Sequence, residues 1–216
     1  MAAFRSITAE EEAASALMLA LQHLNYPNSD LLRSNNHWHK NAIFPFLQII
    51  GSFLAETLGK EIGRYHLHIH KDDKDEESLL KIAFSIFMTN EEEKWVYPVP
   101  PLNLVVCEGS TNQFPTFSKQ IERFLDIKKQ LKLLDLVKTE ANQRNQLLYA
   151  GPNGYPSVRE LDPAFILERR RRVMVMIQVF LLIAPYRTHQ SLVTDALEVM
   201  LKSIGWLQDK FEPDSA

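Results

Sequence analysis

Arg144, Asn145 and Tyr149 occupy the polar end of an otherwise apolar helical segment, closed by Gly151-Pro152-Asn153-Gly154. Leu131, Leu134, Val137 and Ala141 recur every three or four residues, and the rhythm continues onto Arg144 or Asn145 and then Leu148. A guanidinium is thereby aimed at a packed seam. Charge in such a place is costly unless it is paired or used. Asn145 and Tyr149 stand four apart and share a helix face, so guanidinium, amide and phenol converge. The trio suits a phosphate, with Arg144 as the forked donor and the other two orienting it.

The first helix carries a matching anomaly. Counting back from Leu24 through Leu21, Leu17 and Ala14 puts Glu10 on the same apolar stripe, in the expected first turn. A carboxylate there gains from the helix dipole and still needs a cation. Arg144 is the expected partner. The alternative is a buried Glu10–Arg144 pair that only fixes helix register.

Two further clusters compete for a chemical role. Arg169, Arg170, Arg171 and Arg172 follow one another within a helix, so they point around most of its circumference and at least one faces a seam or a partner. They can supply local positive potential for RNA phosphates. Pairing with Glu160 and Asp162 is the competing explanation. His66, His68 and His70 alternate along an expected strand, with Asp72, Asp73, Asp75 and Glu76 following. Two imidazoles and a carboxylate can hold zinc or manganese, though a polar exposed sheet face accounts equally for the alternation. His37-Trp38-His39 reads as a loop pair with a capping and surface role.

Composition narrows the class. The 216 residues include 24 Lys plus Arg against 27 Asp plus Glu, a net charge of -3, so no global basic field announces a nucleic-acid partner and any such contact must be local. The single cysteine, Cys107, excludes a disulfide framework and a Cys-rich zinc site and reads as a small buried hydrophobe. Met1-Ala-Ala-Phe-Arg5 has no signal-peptide pattern, and the longest apolar run, Val173 to Ala184, is interrupted by Gln178. That run is short of the ~20 residues a bilayer needs and reads as a central bundle helix. A cytoplasmic protein with no membrane partner is expected. Glycine-rich phosphate loops, Gly-x-Ser-x-Gly elbows and Cys-His pairs do not occur in the sequence, which removes support from nucleotide hydrolases, serine hydrolases and thiol enzymes.

The elements that must position these residues read as a mainly α architecture: a helical bundle with an inserted small antiparallel β-sheet, one domain over 1–216 with the insertion at 63–106. Thr8-Ala-Glu-Glu11 matches a capping box, so the first helix is expected from Thr8 to about Leu24. A second is expected from Asn41 to Ile62, with Pro45 in its first turns. Strands are expected at Arg64–His70, Leu80–Met88 and Lys94–Pro98, the third an edge because Pro98-Val-Pro-Pro101 follows it. Leu102–Val106 is a possible fourth. Helices then follow at 117–127, 128–149, 158 or 162–183 and 188–211, the last two expected to pack antiparallel across Pro185.

An acidic Ala-Glu-Glu-Glu helix start at Glu10 to Glu12, with Arg144-Asn145-Gln-Leu-Leu-Tyr149 ending a later bundle helix, resembles the HEPN superfamily, especially its abortive-infection, AbiV-like bacterial branch. The resemblance covers about half the chain and implies an RNA- or nucleotide-binding protein. It further implies a metal-independent endoribonuclease of a defence or toxin system, dimeric, with its Arg-x(4-6)-His motifs meeting at the interface. Arg144 would stabilise charge on the scissile phosphate, Asn145 and Glu10 would orient it, and Tyr149 stands where the family has histidine. Tyrosine, with an ordinary pKa near 10, is the weaker base. No cofactor is expected. The alternative is a non-catalytic interaction subunit of a multi-protein complex, and a third reading is a metal enzyme centred on His66, His68 and His70.

Overall fold

The computed structural model describes residues 2–58, 62–71, 78–87, 93–104, 117–125, 133–142 and 163–205. Its helices are α1 (Ala2–His23), α2 (His37–Leu58), α3 (Phe117–Phe124), α4 (133–142), α5 (Pro163–Ile183) and α6 (Ser191–Ser203). The strands β1 (Ile62–Lys71), β2 (Ser78–Phe87) and β3 (Glu93–Val96) form an antiparallel sheet in the order β1-β2-β3. The protein is mainly α with a small inserted sheet, as its periodicities predict.

Helix α1 starts six residues before the expected cap at Thr8. Nothing in Ala2-Ala-Phe-Arg5 breaks a helix, and the Thr8 hydroxyl donates to the Phe4 carbonyl one turn back, 3.0 Å away, instead of capping. Glu10 therefore lies beyond the first turn, and the helix dipole gives it little help. The far end is punctuated as expected. Asn25 and Asn28 take left-handed backbone angles, φ 55° and 62°, which asparagine tolerates better than other side chains with a Cβ. Between them Tyr26 is buried in the core.

Helix α2 also begins early, at His37. The Asn36 side-chain oxygen accepts the Trp38 N–H at 2.9 Å, so the expected loop pair His37 and His39 belongs to the first turn. Pro45 lies within the helix rather than at its start. The neighbours Phe44, Phe46, Ile50 and Phe53 are all buried in the core, and that burial offsets the hydrogen bond proline removes.

The α1 stripe of Ala13, Ala14, Leu17 and Leu21 is buried as the spacing predicts, against Phe44, Ile50, Phe53, Ile121, Met176 and Leu197 of other helices. The expected antiparallel pairing of α5 with α6 is replaced: α5 packs on α1, and α6 on α3. The short connection carries Gln190, fully buried. Its side-chain oxygen accepts the Leu102 N–H at 2.6 Å and its amide nitrogen donates to the Leu182 carbonyl at 2.8 Å. Its backbone N–H donates to the Tyr26 hydroxyl at 3.0 Å. One residue, through its side-chain amide and its backbone N–H, thus ties the chain just after α1, the segment after the sheet and the end of α5 together. Asp195 of α6 in turn accepts the Phe117 N–H that opens α3, at 2.7 Å.

Among the described residues β3 is an edge of the sheet, as the prolines imply. Residues 102–104 are not a strand, and 105–106 lie outside the described residues. Among the described residues no helix is long and apolar enough to cross a membrane.

Candidate functional site

Helix α5 brings two of its four consecutive arginines inward. Met176 lies fully buried in the core, and Arg172 and Arg169 precede it by four and seven residues on the same side. Arg169 is buried between two carboxylates, 2.5 Å from Glu10 of α1 and 2.6 Å from Glu140 of α4. Arg172 reaches Glu140 at 2.8 Å, Glu10 at 3.4 Å and Glu168 at 3.2 Å. Aromatic faces complete the surroundings, Phe165 at 5.0 Å from the Arg169 guanidinium and Phe44 at 4.9 Å from that of Arg172, within cation–π range.

Burial pushes the Glu140 carboxyl up, but the charge of Arg169 and the hydrogen bond and charge of Arg172 outweigh it and hold it below the ordinary value. Burial works against the charged form of Arg172, and Glu10, Glu140 and Glu168 more than compensate. Each guanidinium bridges α1 to α4, so the network ties three helices that are distant in sequence.

Among the described residues, the cations facing Glu10 are Arg169 and Arg172; the pairing with Arg144 falls outside them. Arg144, Asn145 and Tyr149 lie outside the described residues, as do Glu160 and Asp162. Of the four arginines offered for RNA, Arg169 and Arg172 are enclosed in ion pairs, while Arg170 and Arg171 are exposed, Arg171 lying 3.8 Å from Glu168. The sequence holds the signal for this division: the apolar phase of Met176 runs back through Arg172 and Arg169.

Above the network, α1 and α2 add a second pair. His37 Nδ1 lies 3.0 Å from the Glu11 carboxylate, and the His37 side chain is 46% exposed while that of Glu11 is 11% exposed. An ionised carboxylate only accepts, so Nδ1 carries the hydrogen and the imidazole is fixed in orientation. A small cavity of about 10 Å³ is lined by Ile7, Glu10, Glu11, Lys40, Asn41, Glu140 and Arg169, polar and near the size of one water. The Asn41 side-chain nitrogen is buried without a hydrogen-bond partner. Lys40 stands three residues after His37 on α2 and makes no ion pair among the described residues. Sequence reading missed this arrangement, because Glu11 and His37 are 26 residues apart and His37 was assigned to a loop.

His39 has a different task. It is buried, and its Nδ1 accepts the Arg33 backbone N–H at 3.1 Å, which requires an unprotonated nitrogen. Burial, with the nearby charge of Arg33, lowers its pKa to about 4.

His66, His68 and His70 sit at alternate positions of β1, opposite Ala83, Lys81 and Leu79 of β2. Their side chains lie outside the described set, as do Asp72, Asp73, Asp75 and Glu76. Among the described residues, no group of three or more His, Cys, Asp or Glu is placed to hold a metal ion. Comparison with protein-family models, with curated proteins and with solved structures returns no significant match.

Proposed function

We propose that this chain is an RNA- or nucleotide-binding protein of HEPN-like type, acting as a metal-independent endoribonuclease in a bacterial defence or toxin system. The observation that carries the reading is the meeting of α1, α2, α4 and α5 at one charged centre. Its α4 member, Glu140, precedes the Arg144-to-Tyr149 motif by only four residues in sequence. In this reading Arg144 stabilises the phosphate's developing charge, Asn145 orients it and Tyr149 donates a hydrogen bond. Glu10 acts through Arg169 and Arg172, and Arg170 and Arg171 meet RNA phosphates. Purified full-length protein should cut labelled single-stranded RNA in the presence of a chelator. Arg144→Ala should abolish cleavage while leaving the unfolding transition in place, and an inactive wild type would count against the reading.

A second reading, a non-catalytic interaction subunit, is favoured by one specific feature. Leu167, Met174, Ile177 and Leu181 form an exposed apolar row along α5, the kind of face that marks an interaction surface. A second copy of the chain is the simplest occupant, and it would supply the dimer the nuclease reading also calls for. Sedimentation equilibrium of wild type and Met174→Glu tests this surface, and a dimer that Met174→Glu dissociates supports a two-fold contact through α5, while the absence of RNA cleavage by that dimer is what would favour the non-catalytic reading.

A further inference from the structure

On the side of α5 turned away from the buried Met176, two polar groups without partners stand beside the exposed apolar row. The first is Arg170, which is exposed and makes no ion pair among the described residues, whereas Arg171 next to it lies 3.8 Å from Glu168. The second is the backbone carbonyl of Leu181. In a helix that oxygen accepts the N–H four residues on, and residue 185 is proline, which has none to give. The neighbouring carbonyls are served. Phe180 accepts the Ala184 N–H at 2.8 Å, Leu182 the Gln190 side chain at 2.8 Å and Ile183 the Tyr186 N–H at 3.1 Å. Among the described residues no donor reaches the Leu181 carbonyl. It lies in the last turn, at the negative end of the helix dipole, where a cation is favoured.

Arg170, Met174, Ile177 and Leu181 are separated by four, three and four residues, which keeps them within an arc of about 60° around the helix. That spacing reads the same in both directions. A second copy of α5 laid antiparallel therefore sets Met174 opposite Ile177 and Arg170 opposite Leu181, each contact occurring twice by symmetry. A parallel arrangement would set Arg170 against Arg170 and leave both Leu181 carbonyls unserved. We infer that α5 pairs with α5 of a second copy in the antiparallel register, with Arg170 of each copy donating to the Leu181 carbonyl of the other across a Met174–Ile177 centre. One face carries both the free donor and the free acceptor, so the partner that satisfies both is another copy of the same face. Beside Leu181, the apolar groove between α1 and α5, lined by Ala16, Leu19, Ala20, Phe180 and Ala184, offers the aliphatic stem of that arginine a wall to lie on. The inference rests on the second-copy reading of the α5 face and adds its direction, its register and the residue that fixes them.

The test uses the full chain and two readouts. Sedimentation equilibrium compares wild type, Met174→Glu, Arg170→Ala and Arg171→Ala, with unfolding curves to show that each variant is folded. Pulsed electron paramagnetic resonance measures the separation of nitroxide labels on Leu167→Cys in a Cys107→Ala background. The expected result is a wild-type dimer that Met174→Glu dissociates, that Arg170→Ala weakens about tenfold or more through two lost charged hydrogen bonds, and that Arg171→Ala leaves within about twofold. Leu167 stands 17 residues from its symmetric counterpart in this register, so the labels should lie about 25 Å apart or more at 1.5 Å per residue, against about 10 Å in a parallel pair. A dimer that Met174→Glu dissociates but that Arg170→Ala leaves as tight as wild type, or whose labels lie within about 15 Å, would overturn the inference and keep the second-copy reading. A monomeric wild type, or a dimer indifferent to Met174→Glu, would overturn both.

Discussion

Arg169 is held between Glu10, 2.5 Å from one guanidinium nitrogen, and Glu140, 2.6 Å from the other. The pair of contacts joins residues 159 and 29 positions apart in the chain, so one side chain spans α1, α4 and α5 at once. Removing it would leave two carboxylates facing a low-dielectric interior with, among the described residues, Arg172 alone to share.

Arg169→Ala should destabilise the protein by about 3–5 kcal/mol, the usual cost of stripping one partner from a buried pair. Urea unfolding measures it. Replacing Arg169 and Glu140 together by Met and Leu should recover much of that loss, because an apolar pair of similar volume leaves fewer unmatched charges. A loss below about 1 kcal/mol for the single variant, the range of surface pairs, would show that the network is not holding the helices.

Acid should loosen the same network. The folded-state pKa of Glu140 is lowered by Arg169 and Arg172 against the opposing effect of burial. Its contribution is therefore present above the unfolded carboxylate value, near 4.5, and is lost as pH falls through the lower folded value. Unfolding free energies between pH 6 and pH 3 should fall less steeply for Glu140→Gln, from a lower starting point, than for wild type.

His39 should dominate a milder pH range. Its folded pKa of about 4 lies below the ordinary 6.5, so its stabilisation is complete above pH 6.5 and disappears as pH falls to about 4. The loss is on the order of 2–3 kcal/mol. Wild type at pH 4.5 and pH 7 should differ measurably in urea midpoint, and His39→Ala should flatten that interval. An unchanged slope in the variant would remove His39 as its source.

Much of this architecture is legible in the sequence. The stripe from Ala13 to Leu21 falls where its spacing puts it, and the alternation in β1 and β2 pairs as an antiparallel ladder. Helix starts are less legible, because Thr8 and Asn36 are both capping residues by type and, of the two, Asn36 alone is used as one. Glu10 is legible as a charge in an apolar phase, whereas its contacts with Arg169 and Arg172 are not. Periodicity reports which face of a helix is buried, not which distant helix meets that face.

Gln190 shows the same limit. A lone glutamine in a Pro- and Tyr-bearing turn carries no pattern, yet it serves Leu102, Leu182 and Tyr26 at once. Gln190→Ala should cost about 2–4 kcal/mol by leaving the part-buried Leu102 N–H and the buried Leu182 carbonyl without their partner, at roughly 1–3 kcal/mol each. Lys202→Ala, which removes the half-exposed contacts to Glu122 and Glu198, should cost less than about 1 kcal/mol. Measured side by side, the two losses check that burial and not the number of contacts decides the cost.

The proposed nuclease reading has one direct test: the rate of RNA cleavage in a chelator by wild type and by Arg144→Ala, measured on protein whose urea midpoint matches wild type. The account predicts cleavage by wild type and a loss of about 100-fold or more in Arg144→Ala at unchanged stability. Wild-type rates in Arg144→Ala, or a wild type that cuts no RNA, would contradict it.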